Sequence, residues 1–260
     1  MGGRVLVEKQ GALGFIIFDH PERRNAISLD MWRQIPTAVG TLCADDAVRV
    51  VIMRGQGETA FVAGADISEF AEARRGDSIT DYDADSASAF SALSSMDRPL
   101  IALIHGFCIG GGVALALTAD LRYAAEDARF AIPAARLGLG YHVSGVEALV
   151  RTVGYSSAKE LFFTARRFAA EEARRMRLLD AVYAKADLDQ RVLETAHQIA
   201  ENAPLTVKSI KTIARELENP VEARDYEKML SSIRACFESA DYVEGVSAFL
   251  EKRRPAFRGH

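Results

Sequence analysis

The chain has 260 residues, of which 49% are hydrophobic and 26% are charged, and its formal net charge is −4 at neutral pH. These values are typical of a soluble globular protein with one large domain, or one large domain and a small appendage. The negative charge gives no electrostatic basis for binding nucleic acid. No apolar stretch approaches the roughly 18 residues of a membrane span, so no membrane partner is expected.

The three cysteines, Cys43, Cys108 and Cys236, are widely spaced and show no CxxC or Cys/His ligand spacing. We therefore expect neither a disulfide framework nor a bound metal. A reducing cytoplasmic location fits this cysteine usage, and the N-terminus shows no signal-peptide pattern.

Strands and helices alternate through the first two-thirds of the chain. A helix is predicted at 29–42, where Ser28 suits the N-cap and Pro36 should kink or break it. A second helix is expected to include 90–93, and a third to include 113–119. Strands are predicted at 5–9, 13–18, 49–54, 99–104, 121–124, 129–132 and 181–183.

The pattern becomes helical from residue 146 onward, with no obvious linker before it. Helices are predicted at 146–153, 156–164, 170–177, 188–202, 205–217, 222–238 and 241–251.

A run of glycines at Gly110, Gly111 and Gly112 lies between the predicted strand at 99–104 and the helix that follows. Glycines there let a substrate approach the main chain, and the first N–H groups of a helix have no internal partner. The junction can therefore bind an anion, or an oxygen that becomes one during a reaction. A tight turn that only permits close helix packing is an equally good interpretation of this run alone.

A second loop of small residues follows the strand at 49–54. Ala63, Gly64 and Ala65 expose main-chain N–H groups, and Asp66 can cap the next helix. Because the carboxyl ends of parallel strands meet at one edge of a sheet, the two loops can converge on one oxygen. The alternative is an ordinary helix start.

Taken together, these segments resemble the crotonase superfamily, also called the enoyl-CoA hydratase/isomerase family. The matching segments are PERRNA at 21–26, FVAGADI at 61–67, HGFCIGGG at 105–112, FAIP at 130–133, LGLG at 137–140 and DYVEGVSAFLEKRRP at 241–255.

The resemblance implies an α/β fold: a spiral of ββα turns at 1–200 that carries the acyl-CoA site, followed by a helical trimerisation region at 201–260. It implies a homotrimer or a dimer of trimers, and an acyl-CoA thioester substrate with no further cofactor. By similarity, the N–H groups of Ala65 and Gly111 form the oxyanion hole. The CoA path would be lined by Arg24, Ala26, Ala63, Asp66 and Ile67.

Two positions depart from the pattern of the family's hydratases, which carry glutamates there. This chain has Ala114 on the helix after the glycines and Ala134 after the proline of the FAIP segment. An alanine cannot move a proton, so hydration by that route is in doubt. Tyr141 is the favoured replacement site residue, with a buried structural tyrosine as the alternative.

Two further groups are candidate acids or bases, although a solvated or ion-paired role suits each better. They are His142, beside Tyr141, and Glu147 on the following helix.

Three functions stay open from the sequence. The first is an enolate reaction such as decarboxylation of a malonyl-type CoA, as in the methylmalonyl-CoA decarboxylases of this superfamily, which needs an oxyanion hole but no base. The second is a hydratase or isomerase with a relocated acid/base group. The third is an acyl-CoA-binding protein without catalysis.

Overall fold

The computed structural model describes residues 2–66 and 78–260. Its described strands are β1 (Arg4–Gln10), β2 (Leu13–Asp19), β3 (Val50–Gly55), β4 (Ala60–Val62), β5 (Leu100–Ile104), β6 (Phe107–Ile109), β7 (Leu121–Ala125), β8 (Arg129–Ala131), β9 (Phe168–Ala169) and β10 (Ala181–Tyr183). Its described helices are α1 (Leu29–Cys43), α2 (Ser78–Ser95), α3 (Gly111–Leu117), α4 (Val143–Thr164), α5 (Ala170–Arg175), α6 (Leu188–Ala200), α7 (Pro204–Glu218), α8 (Tyr226–Phe237) and α9 (Ala240–Glu251).

The strands form two sheets that alternate along the chain. The larger sheet has the order β1-β2-β3-β5-β7-β10 and is parallel except for the β1–β2 hairpin. The smaller has the order β4-β6-β8-β9, with only its last pair antiparallel. The pairs β3–β4, β5–β6 and β7–β8 each give one strand to each sheet, so the chain advances as a spiral of ββα turns. The predicted fold class is confirmed.

Apolar residues fill both faces of the larger sheet because successive strand side chains point to opposite faces. Ile16 and Phe18 of β2 enter a core shared with α1, α3 and α4. Phe15 and Ile17 of the same strand pack instead in a second core with α6. The site described below lies in the part of the fold that the first core supports.

Most predicted helices are confirmed, with adjusted ends. Ser28 caps α1 by accepting a hydrogen bond from the Met31 N–H at 3.2 Å, and α1 continues through Pro36 without a break. The helices predicted at 146–153 and 156–164 meet at Gly154, whose backbone leaves the helical region with φ 76°. Helix α2 begins at Ser78, well before the predicted segment.

Helices α7, α8 and α9 follow the spiral, and α7 is joined to it by polar contacts. Lys211 of α7 donates to the Asp120 carboxylate at 2.6 Å and to the Arg98 carbonyl at 2.7 Å. Asp241, which is buried, accepts hydrogen bonds from the N–H groups of Arg258 and Gly259 and so fixes the C-terminal end. In the part of the chain that is described, no helix is long and apolar enough to cross a membrane.

Candidate active site

Two main-chain loops meet where β4 and β6 end side by side. The loop after β4 is bonded to Ile27 on both sides of Ala65: the Ile27 N–H donates to the Gly64 carbonyl at 2.8 Å, and the Asp66 N–H donates to the Ile27 carbonyl at 2.9 Å. Since groups on neighbouring residues of extended chain point in alternate directions, the Ala65 N–H points away from Ile27. Its nitrogen lies 3.8 Å from the point that a Cβ atom on Gly111 would occupy.

Neither of the two amides donates a hydrogen bond to any residue that the structure describes. Gly111 is the first residue of α3, so its N–H has no acceptor in its own helix. Among the described residues, the N–H groups of Ala65 and Gly111 donate no hydrogen bond. Two unpaired donors this close together suit an oxygen atom that carries negative charge.

The local surroundings differ at each of the three glycines. Gly110 has φ 53°, in the left-handed region that favours glycine. A Cβ on Gly112 would lie 2.2 Å from the Val62 carbonyl oxygen, so only glycine allows α3 to approach β4. A Cβ on Gly111 would meet no atom closer than 3.8 Å, so packing alone does not require glycine there.

The turn that contains Arg24 is joined to the same loop. The Ala63 N–H donates to the Arg24 carbonyl at 3.1 Å, and the Asn25 side-chain amide donates to the Ala60 carbonyl at 2.7 Å. The Ala26 carbonyl is held by the His20 ring nitrogen Nδ1 at 3.0 Å. Arg24, Ala26 and Ala63 are thus brought to one side of the site.

Two arginines lie over one aromatic ring near this turn. The Arg24 guanidinium carbon is 5.1 Å from the ring centroid of Phe107, and that of Arg167 is 5.4 Å from it. Within the described part of the chain neither guanidinium forms an ion pair. Two positive charges at this place, without an acidic partner among the described residues, favour a negatively charged ligand such as a phosphate.

Tyr141 carries a phenol without a hydrogen-bond partner among the described residues. Its ring packs edge-on against Phe162, with the centroids 4.9 Å apart. Burial, and then the neighbouring Cys108 and Tyr82, raise the pKa of Tyr141 to about 12. The phenol is therefore neutral at physiological pH and can donate a hydrogen bond, but it is not a base.

The other predicted acid/base groups lie at the surface. The His142 ring nitrogen Nε2 is 3.2 Å from a carboxylate oxygen of Asp83, and the side chain is 59% exposed. Glu147 pairs with Arg151 at 2.6 Å and is 55% exposed. Asp66 is buried beside Ala65. Ile67 lies outside the described residues.

Alanines occupy the two positions where the family's hydratases carry glutamates. Ala114 is close to the glycine run in sequence, and Ala134 is three residues after Ala131, whose carbonyl accepts a hydrogen bond from the Gly110 N–H. Ala114 is in the second turn of α3, and its N–H donates to the Gly110 carbonyl at 3.2 Å. Ala134 is buried in the short 3-10 turn after β8, and its carbonyl accepts from the Leu137 and Leu139 N–H groups at 3.0 Å. Their methyl groups bring no proton donor or acceptor to the site.

The sequence did not single out Trp32, which borders the site, or Tyr82, which is bonded to it. The Trp32 ring atom Cζ2 is 3.8 Å from the same Cβ position on Gly111. Its ring nitrogen donates to the Tyr82 hydroxyl at 3.1 Å. No local pattern marks these residues, because only the packing of α1 against α2 brings them together.

Comparison with known proteins identifies the family of the chain. A family model described as enoyl-CoA hydratase/isomerase matches residues 8–260. The chain belongs to the enoyl-CoA hydratase/isomerase family. The crotonase superfamily and the enzyme class implied by the sequence motifs are thereby confirmed.

Family members of known name align over nearly the whole chain. The short-chain-enoyl-CoA hydratase of Clostridium acetobutylicum is 34% identical over 96% of this chain and 95% of its own length. The crotonyl-CoA hydratase of Syntrophomonas wolfei is 33% identical over 97% of each chain. The crystal structure of an enoyl-CoA hydratase/carnithine racemase from Magnetospirillum magneticum matches with a TM-score of 0.94 at 32% identity, covering 98% of this chain and 96% of that one.

Proposed function

We propose that this chain acts on an acyl-CoA thioester and removes carbon dioxide from a malonyl-type acyl group. The observation that carries the proposal is the pair of unused N–H groups of Ala65 and Gly111, which can hold the thioester oxygen as it becomes an enolate oxygen. The guanidinium groups of Arg24 and Arg167, which form no ion pair with a described residue, support a CoA ligand, whose phosphates are negative.

Among reactions of acyl-CoA thioesters, decarboxylation is favoured because it needs the fewest acid/base side chains. The bond between the α-carbon and the carboxylate breaks, its electron pair forms the enolate, and neutral carbon dioxide leaves. No base has to remove a C–H proton, which agrees with the methyl groups of Ala114 and Ala134 and with a neutral Tyr141 phenol. The enolate carbon then takes one proton from water, which gives the saturated acyl-CoA.

Tyr141 is assigned a binding role in this reaction. Its neutral phenol donates a hydrogen bond to the carboxylate that is lost and so orients the bond that breaks. A hydrogen bond to a charged group contributes about 1.5–3 kcal/mol, so Tyr141→Phe is expected to lower kcat/KM about tenfold to a hundredfold. The ring contact with Phe162 is kept in this variant, which separates the chemical effect from packing.

A hydratase is the second candidate, and the names of the relatives support it. Two proteins named hydratases align with at least 95% of their own lengths. In that case Tyr141, His142 or Glu147 replaces the missing acid/base groups. Glu147→Ala would then reduce the hydration of crotonyl-CoA, although the ion pair with Arg151 holds this carboxylate at the surface.

One experiment separates the candidates. Malonyl-CoA, methylmalonyl-CoA and crotonyl-CoA are incubated with the protein in deuterated water, and the products are analysed by mass spectrometry. We expect carbon dioxide release from a malonyl-type substrate and one deuterium at the α-carbon of the product. Hydration of crotonyl-CoA without carbon dioxide release would contradict decarboxylation, and binding without turnover of any substrate would favour a non-catalytic acyl-CoA-binding protein.

The proposal includes assembly into a homotrimer or a dimer of trimers in the cytoplasm. It is supported by exposed apolar side chains on α7, α8 and α9 and by three cysteines that are free thiols. The apolar surface borders a cavity of about 750 Å³. The exposed side chains are Ile210, Phe237, Tyr242, Val246, Phe249 and Leu250.

A further inference from the structure

Trp32 borders the inner side of the space between the two site amides. Its ring atom Cζ2 and the Ala65 nitrogen each lie 3.8 Å from the point that a Cβ atom on Gly111 would occupy. Trp32 is only 2% exposed. Because the CoA part of a thioester must extend to solvent, the buried indole borders the opposite end, where the acyl group lies.

The indole is held in place from several directions. Its ring nitrogen donates to the Tyr82 hydroxyl at 3.1 Å, and its ring packs against Phe90 with the centroids 5.2 Å apart. The neighbouring residue Arg33 forms an ion pair with Asp85 at 2.8 Å, which joins α1 to α2 at the same level. A tightly packed aromatic ring fixed by a hydrogen bond does not move aside at low cost.

We propose that Trp32, positioned by Tyr82, sets the length limit of the acyl group and restricts the site to short-chain acyl-CoA thioesters. A longer chain would have to displace the indole from a filled core, which is unfavourable. The inference rests on the proposed binding of acyl-CoA at Ala65 and Gly111, but it does not depend on whether the reaction is decarboxylation or hydration.

The sole tryptophan of the chain provides the readout. Since Trp32 is the only tryptophan in the sequence, intrinsic tryptophan fluorescence reports on the surroundings of this side chain alone. We titrate the protein with free CoA and with saturated acetyl-, propionyl-, butyryl-, hexanoyl- and octanoyl-CoA, which have no carboxylate to lose and no double bond to hydrate. We expect the dissociation constant to fall about fourfold per methylene while the chain fits, and to rise beyond butyryl. The fluorescence should respond to acyl-CoA and not to free CoA.

Variants identify the residue responsible. In Trp32→Leu, measured by calorimetry, the optimum should shift to acyl chains longer by about two carbons, since the smaller side chain frees that volume. Tyr82→Phe keeps the ring but removes the partner of the indole, and it should bind hexanoyl-CoA at least about threefold more tightly than the wild type does. This variant keeps the test valid if Trp32→Leu does not fold. Tyr155→Leu, an exposed aromatic on α4, is the matched control and should leave the length profile unchanged.

The outcomes are distinct. A wild-type preference that increases through octanoyl-CoA, or a Trp32→Leu profile parallel to the wild type, would overturn the length limit while leaving the proposed function intact. Absence of binding by any CoA compound would overturn both.

Discussion

Gly111 and Gly112 are adjacent, yet different neighbours constrain them. A methyl group on Gly111 would lie at ordinary contact distance, 3.8 Å, from Trp32 and from the Ala65 nitrogen. A methyl group on Gly112 would lie 2.2 Å from a main-chain oxygen of β4 that cannot move independently. The first position is therefore available to a ligand, whereas the second is needed for packing.

The variants Gly111→Ala and Gly112→Ala should separate activity from stability. In Gly111→Ala we expect the free energy of unfolding to stay within about 0.5 kcal/mol of the wild type, while kcat/KM falls about a hundredfold because the methyl group displaces the thioester oxygen. In Gly112→Ala we expect a loss of about 1–3 kcal/mol of stability from overpacking. Chemical denaturation and steady-state kinetics measure both, and full activity in Gly111→Ala would refute an oxygen site at this position.

At the scale of elements, His105 joins the end of β5 to the start of α6. Its ring nitrogen Nε2 donates to the Asp189 carboxylate at 2.6 Å, and the ring is buried. This hydrogen bond, followed by the charge of nearby groups that include Arg54, outweighs partial burial and lowers the pKa of Asp189 from its ordinary value of 3.8. The lowered pKa makes this contact stabilising whenever Asp189 is ionised.

Asp189→Asn should therefore lower stability in a pH-dependent way. A carboxylate whose pKa is lowered by folding contributes its full stability above 3.8, and the contribution disappears as pH falls through the lower folded-state pKa. Because the Asp189 side chain is 57% exposed, we expect only about 1 kcal/mol at neutral pH. Urea unfolding at neutral and at acidic pH tests this, and an equal difference between the two proteins at both pH values would refute it.

The periodic elements were predictable from the sequence, whereas strands β4, β6 and β9 of the second sheet were not. Strand β5 is apolar throughout, β2 is apolar except for its last residue, Asp19, and α1 has a clear N-cap at Ser28. Strands β4 and β6 have three residues each and lie inside loops of small residues, where no period can be recognised. Their pairing nevertheless brings the two amides together.

The part of the candidate site that is formed by main-chain groups could be predicted from the sequence. The loops at Ala65 and Gly111 are marked by small residues next to strand ends, so their convergence could be expected. Trp32 and Tyr82 are 50 residues apart and are joined by packing of two helices, which leaves no local signal. Whether His142 and Glu147 reach the site could not be judged either, because their surface partners Asp83 and Arg151 are set by tertiary structure or side-chain rotamer.

At the scale of the whole molecule, the C-terminal helices leave an apolar surface uncovered on a single chain. Phe249 of α9 is 83% exposed, and it borders the cavity between the three helices. Exposed apolar patches of this kind are typical of subunit interfaces. We infer that further copies of the same chain cover it.

Phe249→Glu should dissociate the proposed trimer, since it places a charge in an apolar interface. Sedimentation velocity should give the mass of a trimer or hexamer for the wild type and mainly that of the 260-residue monomer for this variant. Phe249→Leu keeps the surface apolar and should assemble like the wild type. A wild-type protein that sediments as a monomer at every concentration would contradict the assembly.

The proposed chemistry depends on the Ala65 and Gly111 amides holding the thioester oxygen, and isotope-edited infrared spectroscopy observes that carbonyl group directly. A saturated short-chain acyl-CoA labelled with carbon-13 at the thioester carbonyl is bound to the protein, and its carbonyl stretch is compared with that of the free thioester. Two hydrogen bonds polarise the carbonyl, so we expect a band at lower frequency that returns toward the free value in Gly111→Ala. A bound thioester whose carbonyl band is unshifted in the wild-type protein would contradict it.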